Sequence, residues 1–167
     1  HNSGGVCIFA RSFLGLSLPC NGCDVVAGRV VAAAIEAPGT RKFVGYSSYS
    51  ISGDGLSEAS LGILAAIGKH VAGHGLPFII GGDFNYGPEL LSQTTFLAQI
   101  GGNIICTDPA VGTCISPGCQ STIDYFVLNS DFALGVASVD VVVEAHTSPH
   151  RPVRLAFHPQ LARIKAL

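Results

Sequence analysis

Asp83 and Asn85 in Gly82-Asp83-Phe84-Asn85, Asp124 in Ser121-Thr122-Ile123-Asp124-Tyr125, and His150 in Thr147-Ser148-Pro149-His150-Arg151-Pro152 are residue types that suit hydrolysis of a phosphoester. An imidazole can act as a general base or stabilise a charged phosphoryl group, and a carboxylate beside it fixes its tautomer and orientation. The other aspartate can position the attacking water, while a carboxamide can donate to a phosphate oxygen. Blander roles fit the same residues. Asp-x-Asn suits an Asx-turn closed on local backbone, and a buried Asp–His pair can satisfy only itself. Arg151 and Arg154 suit either a phosphate contact or the solvated side of a strand.

These residues need strand ends to present them. Phe78-Ile79-Ile80, bounded by turn formers and followed by Gly81-Gly82, is too short for a helix and reads as a buried strand delivering Asp83 and Asn85 at its lip. Thr122–Leu128 reads as a strand carrying Asp124, with further strands at Val136–Val143 and Val153–Phe157. Upstream, Gly4–Phe13, Val25–Ala37 and Lys42–Ser50 read as an antiparallel meander, with a turn at Pro38-Gly39 and a helix still open for the alanine run of the second. Leu14–Asp24 reads as a loop. Leu61, Leu64, Ala65, Gly68 and Val71 recur at helical spacing, with Ser57 placed as N-cap and Gly75 as C-cap. A second helix is expected from Pro88 to about Ile100, ended by Gly101-Gly102, then a short strand through Ile104 and Ile105. Strand, helix and strand in succession imply a mixed sheet covered by helices.

At 167 residues the chain suits one domain, 1–167, with no internal repeat. Its 48% hydrophobic and 12% charged residues, with mean hydropathy +0.47, imply buried strands or a face that wants a partner. No apolar run reaches membrane-spanning length. A net charge of −2 gives no global attraction to a polyanion, although Arg151, Arg154, Arg163 and Lys165 gather near the C-terminus. Because the chain opens at His1 and contains no Met, it reads as a processed or truncated piece. Cys20-Asn21-Gly22-Cys23 and the Cys114/Cys119 pair match no zinc-ribbon spacing well, so loop cysteines without a metal are expected. Cys7 reads as a small buried hydrophobe. His70 and His74 stand at i, i+4, but Val71 occupies the place of the glutamate of H-E-x-x-H, and a solvent-facing pair is expected.

Taken together, Gly82-Asp83-Phe84-Asn85, Ser121-Thr122-Ile123-Asp124-Tyr125 and Ser148-Pro149-His150-Arg151-Pro152 resemble, in order, the G-D-F-N, S-x-I-D-Y and S-D-H-x-P signatures of the endonuclease/exonuclease/phosphatase superfamily. Gly4-Gly5-Val6-Cys7-Ile8-Phe9 is similar to the G-G-V-A-I strand of its retroelement-type or divergent members. The resemblance runs from about residue 3 to about 157. It implies a four-layered α/β sandwich, partial here, of two mixed, mainly antiparallel sheets flanked by helices. It implies a metal-dependent phosphodiesterase or nuclease in which Asp83 orients the water, Asn85 binds the phosphate, Asp124 pairs with His150 and Tyr49 touches the phosphate. Arg151 joins Tyr49 as a candidate substrate contact.

Two departures from the family bear on the metal. Pro149 replaces the aspartate before the histidine. The family's strands carrying its first asparagine and its metal-binding glutamate would precede this chain, and Glu36, Glu58 and Glu89 sit in no matching context, so no residue is assigned as the principal ligand. Mg²⁺ or Mn²⁺ could still be recruited weakly through Asp83 or Asp124. The absent strands would also expose sheet edge and apolar face, which calls for a protein partner or a second copy. The alternative function is therefore a catalytically degenerate domain of the same fold, serving a larger assembly.

Overall fold

The computed structural model describes residues 5–37, 41–53 and 55–158, so the expected turn at Pro38-Gly39 and the basic Arg163 and Lys165 lie outside the described residues. The architecture is mixed α/β, as expected. β1 (Gly15–Ser17), β2 (Asp24–Val26), β3 (Val30–Glu36) and β4 (Phe43–Tyr49) lead through α1 (Glu58–His74) to β5 (Phe78–Asp83). Then come α2 (Pro88–Ser92), α3 (Phe96–Ile100), β6 (Gly102–Ile105), the hairpin β7 (Cys114–Ser116) and β8 (Cys119–Ser121), and β9 (Asp124–Asn129). The short α4 (Ser130–Ala133) and the pair β10 (Val136–Val141) and β11 (Val153–Phe157) complete the described chain.

One sheet dominates, in the order β1-β3-β4-β5-β9-β6 with β2 also paired to β3. β4 and β5 run parallel and the other pairs of this sheet antiparallel, because α1 returns the chain across the sheet between them. β10–β11 and β7–β8 form two small separate ladders. Alternation along the strands puts Val30, Ala32, Val44, Tyr46, Phe78, Ile80, Tyr125 and Val127 on one face, where Ile63, Leu64, Ile67 and Val71 of α1 cover them. Fully burying a side chain such as Ile67 is worth about 2 kcal/mol. On the other face, Phe132 of α4 packs between Phe43 of β4 and Phe157 of β11, at ring-centroid distances of 5.2 and 5.7 Å, and so docks the second ladder.

The caps of α1 are those expected. Ser57 Oγ accepts from Ser60 N–H, and Gly75 adopts the left-handed conformation at φ 59°. Several expectations need correction. Residues 5–13 form no strand; Phe9 is 91% exposed and Cys7, expected to be buried, is exposed. An apolar alternation makes a strand only where a sheet edge accepts it, and here the edge of β3 is taken by β1, within the stretch expected to be a loop. The 25–37 run is a hairpin, β2 and β3, rather than one strand, and no helix. The expected 88–100 helix is broken in two: Ser92 Oγ donates to Glu89 O and Thr94 Oγ1 to Leu91 O, side-chain bonds that compete with the helical ladder. Leu61 lies on the outer side of α1 at 45% exposure.

His70 and His74 face inward, against the expectation of a solvent-facing pair. Tyr46 Oη lies 2.8 Å from His70 Nδ1 and 2.7 Å from His74 Nε2. His70 Nε2 lies 3.0 Å from Gly22 O, and Leu76 N–H donates to His74 Nδ1 at 2.9 Å. Because Gly22 O only accepts and Leu76 N–H only donates, the tautomers follow: His74 Nε2–H donates to Tyr46, and Tyr46 O–H donates to His70 Nδ1. These histidines serve the core beneath α1.

Candidate active site

The sheet brings three strand ends side by side. In register, Tyr49 at the end of β4 lies opposite Asp83 at the end of β5, and Asp83 lies opposite Asp124 at the start of β9. Gly82 permits this: a Cβ on it would meet Ser48 O of β4 at 1.9 Å, so the parallel pairing requires a residue without one. Beyond the lip, Asn85 takes φ 58°, its N–H donates to Asp83 Oδ1 at 2.9 Å, and its Nδ2 donates to Ser50 O at 2.9 Å. The Asx-turn considered for this segment is present, and besides Ser50 O the Asn85 side chain hydrogen-bonds the Asp83 carboxyl. Phe84 anchors the turn by stacking on Tyr125 at 4.2 Å.

His150 arrives from the segment after β10, which follows a cis Ser148–Pro149 peptide. A backbone bridge between Cys114 and His150 fixes it, flanked by Ile115 N–H to Pro149 O at 2.9 Å and Arg151 N–H to Thr113 O at 2.7 Å. His150 Nδ1 lies 3.1 and 3.0 Å from the two carboxylate oxygens of Asp124. An ionised carboxylate only accepts, so Nδ1 carries the proton and Nε2 faces away, 3.8 Å from Asp83 Oδ2. Asp83, Asp124 and His150 thus offer ligand or proton-transfer atoms within 4.8 Å of one another.

The three line a cleft of about 540 Å³ floored by Ser47, Gly81 and Phe126 of the main sheet and walled by Pro152 and Val153. Partial burial, then the nearby charge of Asp124, raises the Asp83 carboxyl above its ordinary value, and the Asn85 N–H and His150 offset part of that rise. Of the candidate substrate contacts, Arg151 lines the cleft, with Nη1 3.4 Å from Val111 O. Tyr49 lies outside the cleft lining, its ring beneath the Arg29 guanidinium at 4.9 Å.

Sequence reasoning missed three residues here. Arg29 Nη1 reaches Ser50 O at 3.5 Å, the same carbonyl that Asn85 holds, which puts a cation beside the turn. Buried Thr113 accepts the N–H groups of Ile123 and Asp124 on its Oγ1 at 3.0 and 2.9 Å and so sets the start of β9. Cys114 Sγ lies 3.8 Å from His150 Nε2. Nothing in Gly112-Thr113-Cys114 signals these contacts; they depend on a hairpin that sits between strands remote in sequence.

The donor chemistry fits a divalent cation. Two carboxylates and an imidazole converge, and an ion such as Mg²⁺ or Mn²⁺ needs only one or two carboxylates when water fills the remaining positions. Pro149 contributes no side-chain ligand, and Glu36 is committed instead to Lys42 at 3.2 Å.

A sequence model of the Endonuclease/Exonuclease/phosphatase family matches residues 1–150. Solved structures share the fold. The endonuclease domain of TRAS1, a telomere-specific non-LTR retrotransposon, superposes with TM-score 0.66 at 16% identity, over 84% of this chain and 65% of that one. The human nocturnin catalytic domain gives 0.58 at 16% identity, over 89% and 62%. The 3'-5' exonuclease NExo of Neisseria meningitidis gives 0.52 at 17%, over 86% and 70%. The chain therefore spans about two-thirds of the length of these neighbours. None of the curated proteins matches it.

Proposed function

The chain belongs to the endonuclease/exonuclease/phosphatase family, and from that premise we propose that it is a divalent-metal-dependent phosphodiesterase, hydrolysing nucleic acid or a smaller phosphoester by direct attack of water. The observation that carries this reading is the convergence of Asp83, Asp124 and His150 on one cleft. Asp83, its carboxyl raised by burial, orients the water and draws off its proton. Asn85, whose side chain hydrogen-bonds Ser50 O and Asp83, would turn an amide N–H to a phosphate oxygen when substrate binds. Asp124 holds His150 so that Nε2 faces the charge that develops on the phosphoryl group. Arg151 lines the cleft as a further anion contact, while Arg29, stacked on Tyr49, sets a cation beside the Asp83–Asn85 turn. Asp83 and Asp124 would hold the cation, which would polarise the phosphoryl oxygen as a Lewis acid. A nuclease reading of the substrate is supported by the retrotransposon endonuclease and the exonuclease among the structural neighbours.

One observation favours a second reading, a degenerate domain that binds without cutting: Pro149 stands where the family places a cation-binding aspartate. The two part in a single assay. The purified chain is given Mg²⁺ or Mn²⁺ with abasic, single-stranded and plasmid DNA and with a generic phosphodiester, and each reaction is repeated in a chelator. Hydrolysis that the chelator abolishes is the expected result. A folded chain that turns over none of these substrates with either ion overturns the hydrolase reading.

A further inference from the structure

Arg29 and Tyr49 lie outside the cleft, yet they continue its lip across the sheet. The β3–β4 register that sets Val30 opposite Ser48 runs one step further, closed by Tyr49 N–H donating to Arg29 O at 2.8 Å. Tyr49 in turn lies opposite Asp83, and Asp83 opposite Asp124. Arg29, Tyr49, Asp83 and Asp124 therefore stand in one row across the sheet, with their side chains on the same face. Neighbouring strands are about 4.8 Å apart, so the backbone of Arg29 is two such steps from that of Asp83. Its side chain shortens the gap. The guanidinium crosses the Tyr49 ring at 4.9 Å from the centroid, and Nη1 comes within 3.5 Å of Ser50 O. Asn85 Nδ2 donates to that same carbonyl at 2.9 Å, so guanidinium and carboxamide are no farther apart than those two distances laid end to end. Among the described residues no carboxylate pairs with Arg29, and Ser50 O leaves its other N–H groups to a further acceptor.

We propose, resting on the phosphodiesterase reading, that the Arg29–Tyr49 pair receives the phosphate next to the scissile one, so that the substrate is a polynucleotide strand laid along this row rather than a small phosphoester. A lone phosphoester engages Asp83, Asn85 and His150 and reaches no farther. A strand brings a second monoanion one nucleotide away from the first, and Arg29 stands beyond Asn85 on that scale. Its planar fork of N–H groups takes phosphate oxygens in pairs, and the Tyr49 ring holds it flat, so little side-chain freedom is lost when the phosphate arrives. Asp83 and Asp124 repel a polyanion, and the chain as a whole carries a net charge of −2. Strand binding then depends on a few local cations, and Arg29 is the one at this end of the row. A phosphate contact of this kind sets the register of the strand and reads no base, so the preference it creates is for polymer over monomer and not for sequence.

Binding is measured apart from turnover. The anisotropy of a fluorescent thymidine oligonucleotide is followed against salt, in chelator so that no strand is cut, for the wild type, Arg29→Gln and Arg29→Lys, each checked for fold by circular dichroism. With Mg²⁺ or Mn²⁺ restored, kcat/KM is compared on the same oligonucleotide and on bis(p-nitrophenyl) phosphate, which carries a single phosphate. Arg29→Gln is expected to lose about 10-fold in strand affinity. Its plot of log affinity against log salt should be shallower by about 0.7, the share of one single-strand phosphate contact. The ratio of the two kcat/KM values should fall by about the same 10-fold, and Arg29→Lys, which keeps the charge, should recover the salt slope. An unchanged slope in folded Arg29→Gln overturns the proposal, as does an equal fall on both substrates, which would mean that Arg29 acts through the Asp83–Asn85 turn. Hydrolysis by the wild type with slope and ratio unchanged in the variant sinks this inference alone. A slope that falls in a chain that hydrolyses neither substrate upholds strand binding at Arg29 and sinks the hydrolase reading.

Discussion

At the scale of residues, Asp83-Phe84-Asn85 shows that a local turn and the proposed reaction site are compatible in one segment. The turn takes one oxygen of Asp83 for the backbone N–H of Asn85, and Asp83 still lines the cleft. The carboxyl of Asp83 is raised mainly by burial, so its ionised form is disfavoured in the fold, and Asp83→Asn is expected to abolish hydrolysis while raising Tm slightly in a thermal melt. The Tyr46–histidine chain carries the opposite kind of information. Burial, then His70, lowers the His74 pKa, so the unfolded chain takes up the proton more readily than the folded one. Its contribution is therefore full above the ordinary histidine value and is lost as pH falls through it toward the lowered one. Denaturant unfolding across pH 7.5 to 5 should show that loss, and His74→Gln should flatten it. Tyr46→Phe leaves one buried and one half-buried ring nitrogen without their partner and is expected to cost about 2 kcal/mol. The i, i+4 spacing of His70 and His74 was visible in the sequence. That β4 would place a tyrosine beneath them was not, because the contact spans separate elements.

At the scale of elements, the parallel β4–β5 pair is the frame of the site. Gly82→Ala drives a Cβ into Ser48 O, an obstacle of backbone rather than of a movable side chain. The expected cost is about 3 kcal/mol or more, read from the denaturation midpoint. Gly62→Ala, on the exposed side of α1 with open space around the new methyl, should instead stabilise by about 0.5–1 kcal/mol. The elements whose identity is written in local chemistry were legible: α1 from its caps, β4, β5, β10 and β11 from alternation or short apolar runs. What failed is what depends on partners. Residues 5–13 alternate like a strand, yet β1 holds the edge of β3 that they would need. Ser92 and Thr94 read as helical positions until their hydroxyls take the carbonyls.

At the scale of the molecule, the family signatures predict that Asp83, Asp124 and His150 share one neighbourhood, and the structure supplies the separations. Residues such as Thr113 and Cys114, contributed by the β7 segment, carry no signature and appear only when the hairpin is folded against the sheet. Among the described residues no helix is long and apolar enough to cross a membrane. The high apolar content surfaces instead at Phe9, Phe13 and Leu18, which are 91%, 63% and 73% exposed. The most direct test of the central claim is the single-turnover rate of phosphodiester hydrolysis with a divalent ion, for the wild type and for His150→Ala under the same conditions. A site built on the Asp124–His150 pair predicts a fall of about 10²- to 10⁴-fold in the variant. An unchanged rate in folded His150→Ala would contradict it.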